Sequence, residues 1–316
     1  MYFFRFVLAF GLLLYWADAM HTQYVICYYV VYLSRSCSYR TIKTYLSGLT
    51  YLYKMYGLPH PLHTAGFHLQ RLLAGVKRAK GDDRNPKRPI TPRILLAMYY
   101  LLHLHTANPD PDDVVLYAAM LVAFFGFFRK GNVAAKSACW EENTHCFTRD
   151  DICFDIATYT VWIRVTMTKT IQHKERVLWV PMRGLKGSPL DVFAALTRAF
   201  AAVPAAGSAH AFVQSDGRPL LHTTFVARVK ELIASMGLDP SNVAGHSFRR
   251  GGASFALYCN VPHAFIKLMG DWRSNAFLAY FSVPHSSKVK VTDCMVHVIN
   301  SGDYGDEIYY GDVVEP

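Results

Sequence analysis

Residues 81–92 read GDDRNPKRPITP, and this stretch constrains the chain more than any other. Pro86, Pro89 and Pro92 each remove a backbone donor, and each pushes the residue before it away from helical geometry. With almost no apolar side chains, the segment can neither continue a helix nor enter the middle of a sheet. It is expected to be a linker. A chain of 316 residues divided here has length enough for a domain on each side. The expected organisation is a hydrophobic segment over 1–20, a helical domain over 21–80, the linker over 81–92, a larger domain over 93–300 and an acidic, flexible tail over 301–316.

Composition bounds the class. The chain is 52% hydrophobic and 18% charged, so it can bury a core and is not a disordered polymer. Its formal net charge is +10, yet the last fifteen residues hold five carboxylates and no Lys or Arg. Residues 1–301 therefore carry a formal +15, an excess that suits a polyanionic partner, nucleic acid first. The seven cysteines show no CxxC and read as reduced thiols in the nucleus or cytoplasm. Cys139, His145, Cys146 and Cys153 cluster in sequence, but their spacing fits no familiar zinc pattern, and no metal is expected. Phe6 to Ala17 follow Arg5 and have the outline of a secretory signal peptide, too short for a transmembrane span. A buried first helix, or extra residues from an imperfect gene model, is the preferred reading.

Within 21–80, Ser38 is placed to cap a helix whose apolar residues, from Ile42 through Leu46 and Leu49 to Tyr53, fall at helical spacing. Gly57 and Pro59 end it. A second helix carries Leu69, Leu72, Leu73 and Val76. Arg40, Lys43 and Thr44 lie off the first apolar stripe, and Arg71, Lys77 and Arg78 lie off the second. A positive, hydroxyl-bearing face of this kind suits a phosphate backbone, although each helix face alone reads as ordinary solvated surface.

After the linker, Thr91 caps a helix with Pro92 at its first position. The larger domain is expected to be mostly helical, with helices over 189–202, 222–236, 246–259, 262–269 and 275–281. One β signal interrupts it. Val161, Ile163 and Val165 alternate within Thr160–Thr166, and RVLWV follows at 176–180. The polar, basic stretch between them, Lys169 to Glu175, reads as a hairpin tip. The fold class is therefore mainly α with a small β-sheet.

Three segments carry candidate chemistry. Arg129 follows a long apolar run, where a buried helix meets a turn. Lys169 lies on the hairpin. GHSFRRGGASFA and LMGDWRSNAFLAYF then supply His246, Arg249, Trp272 and Tyr280. In this order the residues resemble the tyrosine recombinase, or phage-integrase, family, most closely the integrases of eukaryotic mobile elements of the Crypton and DIRS kind. That family runs Arg, Lys, His-x-x-Arg, His or Trp, then Tyr, and the likeness spans roughly residues 20–290. Two positions depart from the common pattern. Asp271 stands where His or Trp directly follows Gly, which moves that role to Trp272. Arg250 stands where many bacterial members have a second histidine.

The resemblance implies a DNA breaking-rejoining catalytic domain behind a helical core-binding domain. It also implies double-stranded DNA as partner, a homo-tetramer on that DNA, and no small-molecule substrate. A C-terminal segment docks on a neighbour in such tetramers. Cys294–Ile299 (CMVHVI) is either that segment or a helix folding back on its own core.

The residues argue for the same chemistry. Attack on a phosphodiester builds negative charge on the non-bridging oxygens. Two planar, permanently charged guanidiniums, Arg129 and Arg249, answer it. Tyr280 needs a partner to take its proton, because a phenol ionises near pH 10, and His246 is the natural base or relay. Lys169, with Lys174 second, can protonate the leaving 5′-oxygen. The Trp272 indole N–H can donate to a phosphate oxygen. Lys174 and Arg250 join the expected DNA contacts. A 3′-phosphotyrosyl bond retains the phosphoester energy, so neither ATP nor a metal is needed, and no cofactor is expected. The alternatives are a domesticated DNA-binding protein without cleavage, a relaxing topoisomerase of related chemistry, and a secreted or membrane-anchored protein resting on residues 5–19 alone.

Overall fold

A computed structural model describes residues 2–12, 19–58, 66–81, 87–139, 143, 145–167, 171, 176–272, 278, 295–296 and 299–301. The chain falls into two compact units, Met1–Pro86 and Lys87–Pro316.

The first unit is helical: α1 (Tyr2–Ala9), α2 (Ala19–Ser34), α3 (Tyr39–Met55) and α4 (Gly66–Lys80). The hydrophobic N-terminal segment enters this core as α1. Phe3 and Phe6 are buried, with ring centroids 5.1 and 5.2 Å from the ring of Tyr29 on α2. The Ser38 hydroxyl accepts the Thr41 N–H at 3.3 Å and fixes the start of α3. At its end Gly57 takes φ +63°, and the Leu58 N–H closes onto the Tyr53 carbonyl at 3.0 Å. A glycine meets that left-handed position without strain. Ile42, Leu46, Leu49 and Tyr53 form the inward stripe, as their spacing predicts. Among the described residues, no helix is long and apolar enough to cross a membrane.

The second unit begins inside the expected linker. The Arg88 N–H donates to the Asn242 carbonyl at 2.6 Å, and the Ile90 N–H donates to the Ser247 carbonyl at 3.0 Å. Ile90 is fully buried. Residues 87–91 are thus anchored by backbone hydrogen bonds that sequence pattern does not reveal, and they belong to the larger unit. The Thr91 hydroxyl then caps α5 (Pro92–Leu101) through the Ile94 N–H at 3.3 Å.

Helix α6 (Pro111–Phe125) is buried from Val114 to Phe124 without a break. A helix apolar on every face has to lie at the centre of a unit. It is covered by α5, by α8 (Val192–Ala202) and by α10 (Ser247–Tyr258). Between α6 and α8 comes the short α7 (Lys130–Val133). A three-stranded antiparallel sheet follows it in the order β1 (Ile152–Asp155), β2 (Thr160–Val165), β3 (Leu178–Arg183). The sequence shows β2 and β3 but not β1, whose four residues are too few to display alternation. The paired register runs from Thr160↔Arg183 to Val165↔Leu178. Helix α8 starts at Val192 rather than at 189, because the Asp191 carboxylate accepts the Phe193 and Ala194 N–H groups at 3.0 and 3.2 Å. Helices α9 (His222–Ser235) and α11 (His263–Met269) complete the described elements. The helix expected over 275–281 lies outside the described residues, apart from Leu278.

Two adjacent glycines let α10 reach the centre. A Cβ at Gly251 would run into the Ile90 carbonyl, and one at Gly252 would run into the Phe124 carbonyl at the end of α6. Neither obstacle is a side chain that can rotate away. Gly251→Val and Gly252→Val are each expected to destabilise the protein by about 2 kcal/mol or more. A fall in the urea midpoint checks this, and an unchanged midpoint in both variants would contradict the close approach.

Candidate active site

The two ends of the fully buried α6–α10 contact position the candidate chemistry. Helix α6 stops at Gly126, and Phe127 turns left-handed at φ +52°. That reversal delivers Arg129 to the position capping α7, where its backbone N–H donates to the Asn132 side-chain oxygen at 3.2 Å. Asn132 is itself buried and fixed by donating to the His145 carbonyl at 3.0 Å. The Arg129 side chain remains half-buried.

On the facing helix, His246 occupies the cap position of α10 and Arg249 its first turn. Ser247 is fully buried, and its hydroxyl accepts the Ala244 N–H at 3.0 Å, which sets the turn. A Cβ at Gly245 would lie 2.8 Å from Lys130 Cγ. The missing side chain therefore lets the aliphatic stem of Lys130 cross the residue next to His246. Arg129, Lys130, Asn132, His145, His222 and His246 share the wall of one open concavity of about 210 Å³. Among the described residues no carboxylate lines it, and its charged side chains are the cations Arg129 and Lys130.

Arg249 is almost entirely buried, at 3% exposure. Its guanidinium donates to the Phe127 carbonyl and, at 2.6 Å, to the Gly270 carbonyl. It also lies 4.0 Å above the Trp272 ring. Trp272 is buried against Phe127, Ala253 and Ile266. Asp271, just before it, takes φ +50° and forms an ion pair with Arg176. Thus Arg129, His246, Arg249 and Trp272 come together from three separate parts of the chain. The two arginines meet through Phe127: its carbonyl holds Arg249, and its left-handed turn aims the chain toward Arg129. Lys169, Lys174 and Tyr280 lie outside the described residues.

The cations act on the imidazole between them. Burial, then the charges of Arg129, Arg249 and Lys130, push His246 below the ordinary histidine value, although the residue as a whole keeps much of its surface exposed. The ring is therefore neutral at neutral pH and able to accept a proton. His222 is lowered too, by burial first and then by Lys130, while its ring bonds the Ala134 backbone. Neither Lys130 nor His222 stands out in the sequence. Lys130 is hidden beside the more telling Arg129, and His222 joins the concavity only because α9 begins beside Ala135, whose carbonyl accepts the His222 N–H at 2.8 Å.

The expected DNA-contacting residues of the first unit, Arg40, Lys43, Thr44, Arg71, Lys77 and Arg78, are all exposed. The Thr44 hydroxyl donates to the Arg40 carbonyl of its own helix at 3.1 Å. Residues 1–80 carry nine Lys and Arg against the single carboxylate of Asp18. Arg250 is half-buried on α10. In the cysteine cluster, burial pushes the Cys146 thiol up to about 12, which disfavours the thiolate a metal would need. Among the described residues, no three His, Cys, Asp or Glu side chains converge to hold a metal ion. Of the C-terminal segment expected to dock, the described Met295, Val296 and Ile299 are exposed.

Solved structures share this architecture. The XerH site-specific recombinase bound to a palindromic difH substrate, in a post-cleavage complex, matches with a TM-score of 0.59 at 12% identity. That match covers 86% of this chain and 71% of the other. The Tn1549 transposon integrase in complex with transposon right-end DNA matches at 0.57 with 11% identity, over 87% and 85% of the two chains. The fold is that of the tyrosine recombinases. No protein-family profile matches the sequence, and no curated protein matches it. At such low identity the tyrosine recombinase likeness rests on backbone architecture, and the side chains above stand as an independent observation.

Two outcomes follow from the electrostatics. In an NMR titration the free protein should show His246 below the ordinary histidine value, and Arg129→Gln should raise it. No movement in that variant would mean that the two side chains do not interact. The lowered His222 and His246 also couple to folding. Well above the ordinary imidazole value of about pH 6.5, both are neutral whether folded or unfolded. As pH falls below that value, the unfolded chain takes up protons the folded chain refuses, so stability is lost on acidification. Urea midpoints that stay level from pH 8 to pH 5.5 would contradict this.

Proposed function

We propose that this chain cleaves and rejoins DNA strands as a tyrosine recombinase serving integration or site-specific recombination of a mobile element of the Crypton/DIRS kind, and works in the nucleus or cytoplasm. The supporting observation is the placing of Arg129 and His246 on one cationic concavity, with Arg249 and Trp272 packed together behind it, within a fold shared with recombinases solved on their DNA.

In this reading the scissile phosphate approaches Arg129. The Tyr280 phenol gives its proton to neutral His246, and its oxygen attacks phosphorus. The bond to the 5′-oxygen breaks, and Lys169 protonates that oxygen as it leaves. The products are a 3′-phosphotyrosyl bond and a free 5′-hydroxyl. Attack by a new 5′-hydroxyl reverses the steps and restores the phenol, so the phosphoester bond is conserved throughout and no nucleotide or metal is consumed. Arg129 and Arg249 are fixed before attack begins, one by α7 and the other by the Phe127 and Gly270 carbonyls. Preorganised charge of this kind stabilises a developing anion without reorganisation. Lys130 adds a second cation to the wall and contributes, after burial and the two arginines, to lowering His246. The first unit, with its excess of exposed Arg and Lys, serves as the core-binding domain, and the working form is a homo-tetramer on double-stranded DNA.

The test uses nicked suicide substrates from the element's own ends, read as a covalent protein–DNA adduct on a denaturing gel. The wild-type chain is expected to form the adduct and Tyr280→Phe to form none. Arg129→Ala should slow adduct formation by about a hundredfold or more. DNA binding without any adduct would favour a domesticated DNA-binding protein. An adduct surviving in Tyr280→Phe would reject that residue as the nucleophile.

A further inference from the structure

The concavity holds a second imidazole, His222, that the proposed chemistry does not use. The charges around the two rings fall into groups that share Lys130. Arg129, Arg249 and Lys130 act on His246, whereas Lys130 and Lys136 act on His222. Coulomb interactions fade with distance, so His222 stands on the far side of Lys130 from the arginines. Lys130 is half-buried, and its stem crosses Gly245. Among the described residues its ammonium has neither a hydrogen-bond acceptor nor a carboxylate partner. A partly desolvated cation left so gains more from an arriving anion than a fully hydrated lysine does.

His222 is oriented by the chain beside it. Its backbone N–H donates to the Ala135 carbonyl at 2.8 Å, and its ring donates to the Ala134 backbone. Nε2 is sheltered from water and has no partner, so the bond to Ala134 runs from Nδ1. A sheltered nitrogen without a partner is costly, and a ligand that bonds it removes that cost. Gly131 leaves a gap in front of it. A Cβ at Gly131 would have His222 Nε2 at 3.7 Å and Cε1 at 3.8 Å as its nearest neighbours, in ordinary contact. A phosphate in that gap would bring the negative charge that lets Nε2 take up a proton and donate it, with Nδ1 still bonded to Ala134.

We propose that Lys130 and His222 form a second phosphate subsite, which binds the backbone phosphate next to the scissile one across the gap at Gly131. This inference rests on the cleavage reading above, which places the scissile phosphate at Arg129. Each DNA strand carries a phosphate every 3.4 Å or so along the axis, so cations beside the first position meet a neighbouring phosphate. Two phosphates held at once fix the direction in which the strand runs through the site, which one phosphate alone does not.

The experiment measures binding of the full chain to duplex DNA from the element's own ends. Single phosphates, the scissile one and its neighbour on each side, are replaced by uncharged methylphosphonates. In the wild type, replacement of one neighbour should weaken binding about tenfold. Lys130→Met keeps the stem over Gly245 and removes the charge. It should weaken binding of ordinary DNA about tenfold and reduce the salt slope by about one. On DNA lacking the charge of that neighbour, Lys130→Met should cost less than about twofold, whereas at the scissile position the two losses should add. His222→Asn keeps a donor for the Ala134 carbonyl and loses Nε2, and it should bind ordinary DNA about fivefold more weakly. His222→Gln restores a nitrogen at the reach of Nε2 and should stay within about twofold of wild type. A purely structural ring predicts the reverse order. Gly131→Ala narrows the gap without a clash, so it should weaken binding while the urea midpoint stays level. Losses that add at every position in Lys130→Met, or wild-type binding by both His222→Asn and Gly131→Ala, would overturn the inference and leave the cleavage reading intact. A wild-type chain that binds this DNA but forms no adduct on the nicked substrate would sink the cleavage reading, and with it a subsite beside a scissile phosphate.

Discussion

A buried guanidinium has to find acceptors, because its donors cannot be left facing hydrocarbon. Arg249 finds them in two backbone carbonyls, Phe127 at the end of α6 and Gly270 at the end of α11, and rests on the Trp272 ring. One side chain therefore joins three stretches of chain that are far apart in sequence. The contact depends on the α6–α10 approach, which Gly251 and Gly252 make possible. It also requires two residues to adopt left-handed backbone, Phe127 and Asp271. For a residue as bulky as phenylalanine this conformation is uncommon, and at functional sites it persists where the surroundings over-determine it. Here the surroundings are the Arg249 hydrogen bond and the apolar contact with Trp272.

The electrostatic design follows from the same arrangement. Burial first, and then the cations of Arg129, Arg249 and Lys130, lower His246 and favour its neutral form. An anion entering the concavity would offset those cations and make protonation of the ring easier. In the proposed reaction the ring would therefore accept a proton at one step and return it at the reverse step.

Much of this was legible in the residues. An unbroken apolar run ending in Arg129 announces a central helix with a cation at its exit, and the His-x-x-Arg spacing puts both side chains in one helical turn. The three-residue cap signals at Ser38 and Thr91 set helix starts to the residue. What the sequence could not display were effects of long-range packing. Strand β1 is too short for its alternation to register. Residues 87–91 look like free linker until the Asn242 and Ser247 carbonyls accept their N–H groups. Lys130 and His222 become part of the site only through the crossing over Gly245 and the start of α9 beside Ala135. Asp271 reads as a departure from a pattern until Arg176 is seen beside it.

Helix α6 has a consequence for the order in which the larger unit can be made. Its apolar surface is continuous from Val114 to Phe124, yet two of the helices that cover it, α8 and α10, begin at Val192 and Ser247. During synthesis at about 5–20 residues per second, that surface waits several seconds for α8 and longer for α10. Nascent chains ending short of α10 would present an uncovered greasy cylinder. The central helix that fixes the mature protein is thus an apolar surface that the growing polypeptide leaves uncovered until its later helices emerge.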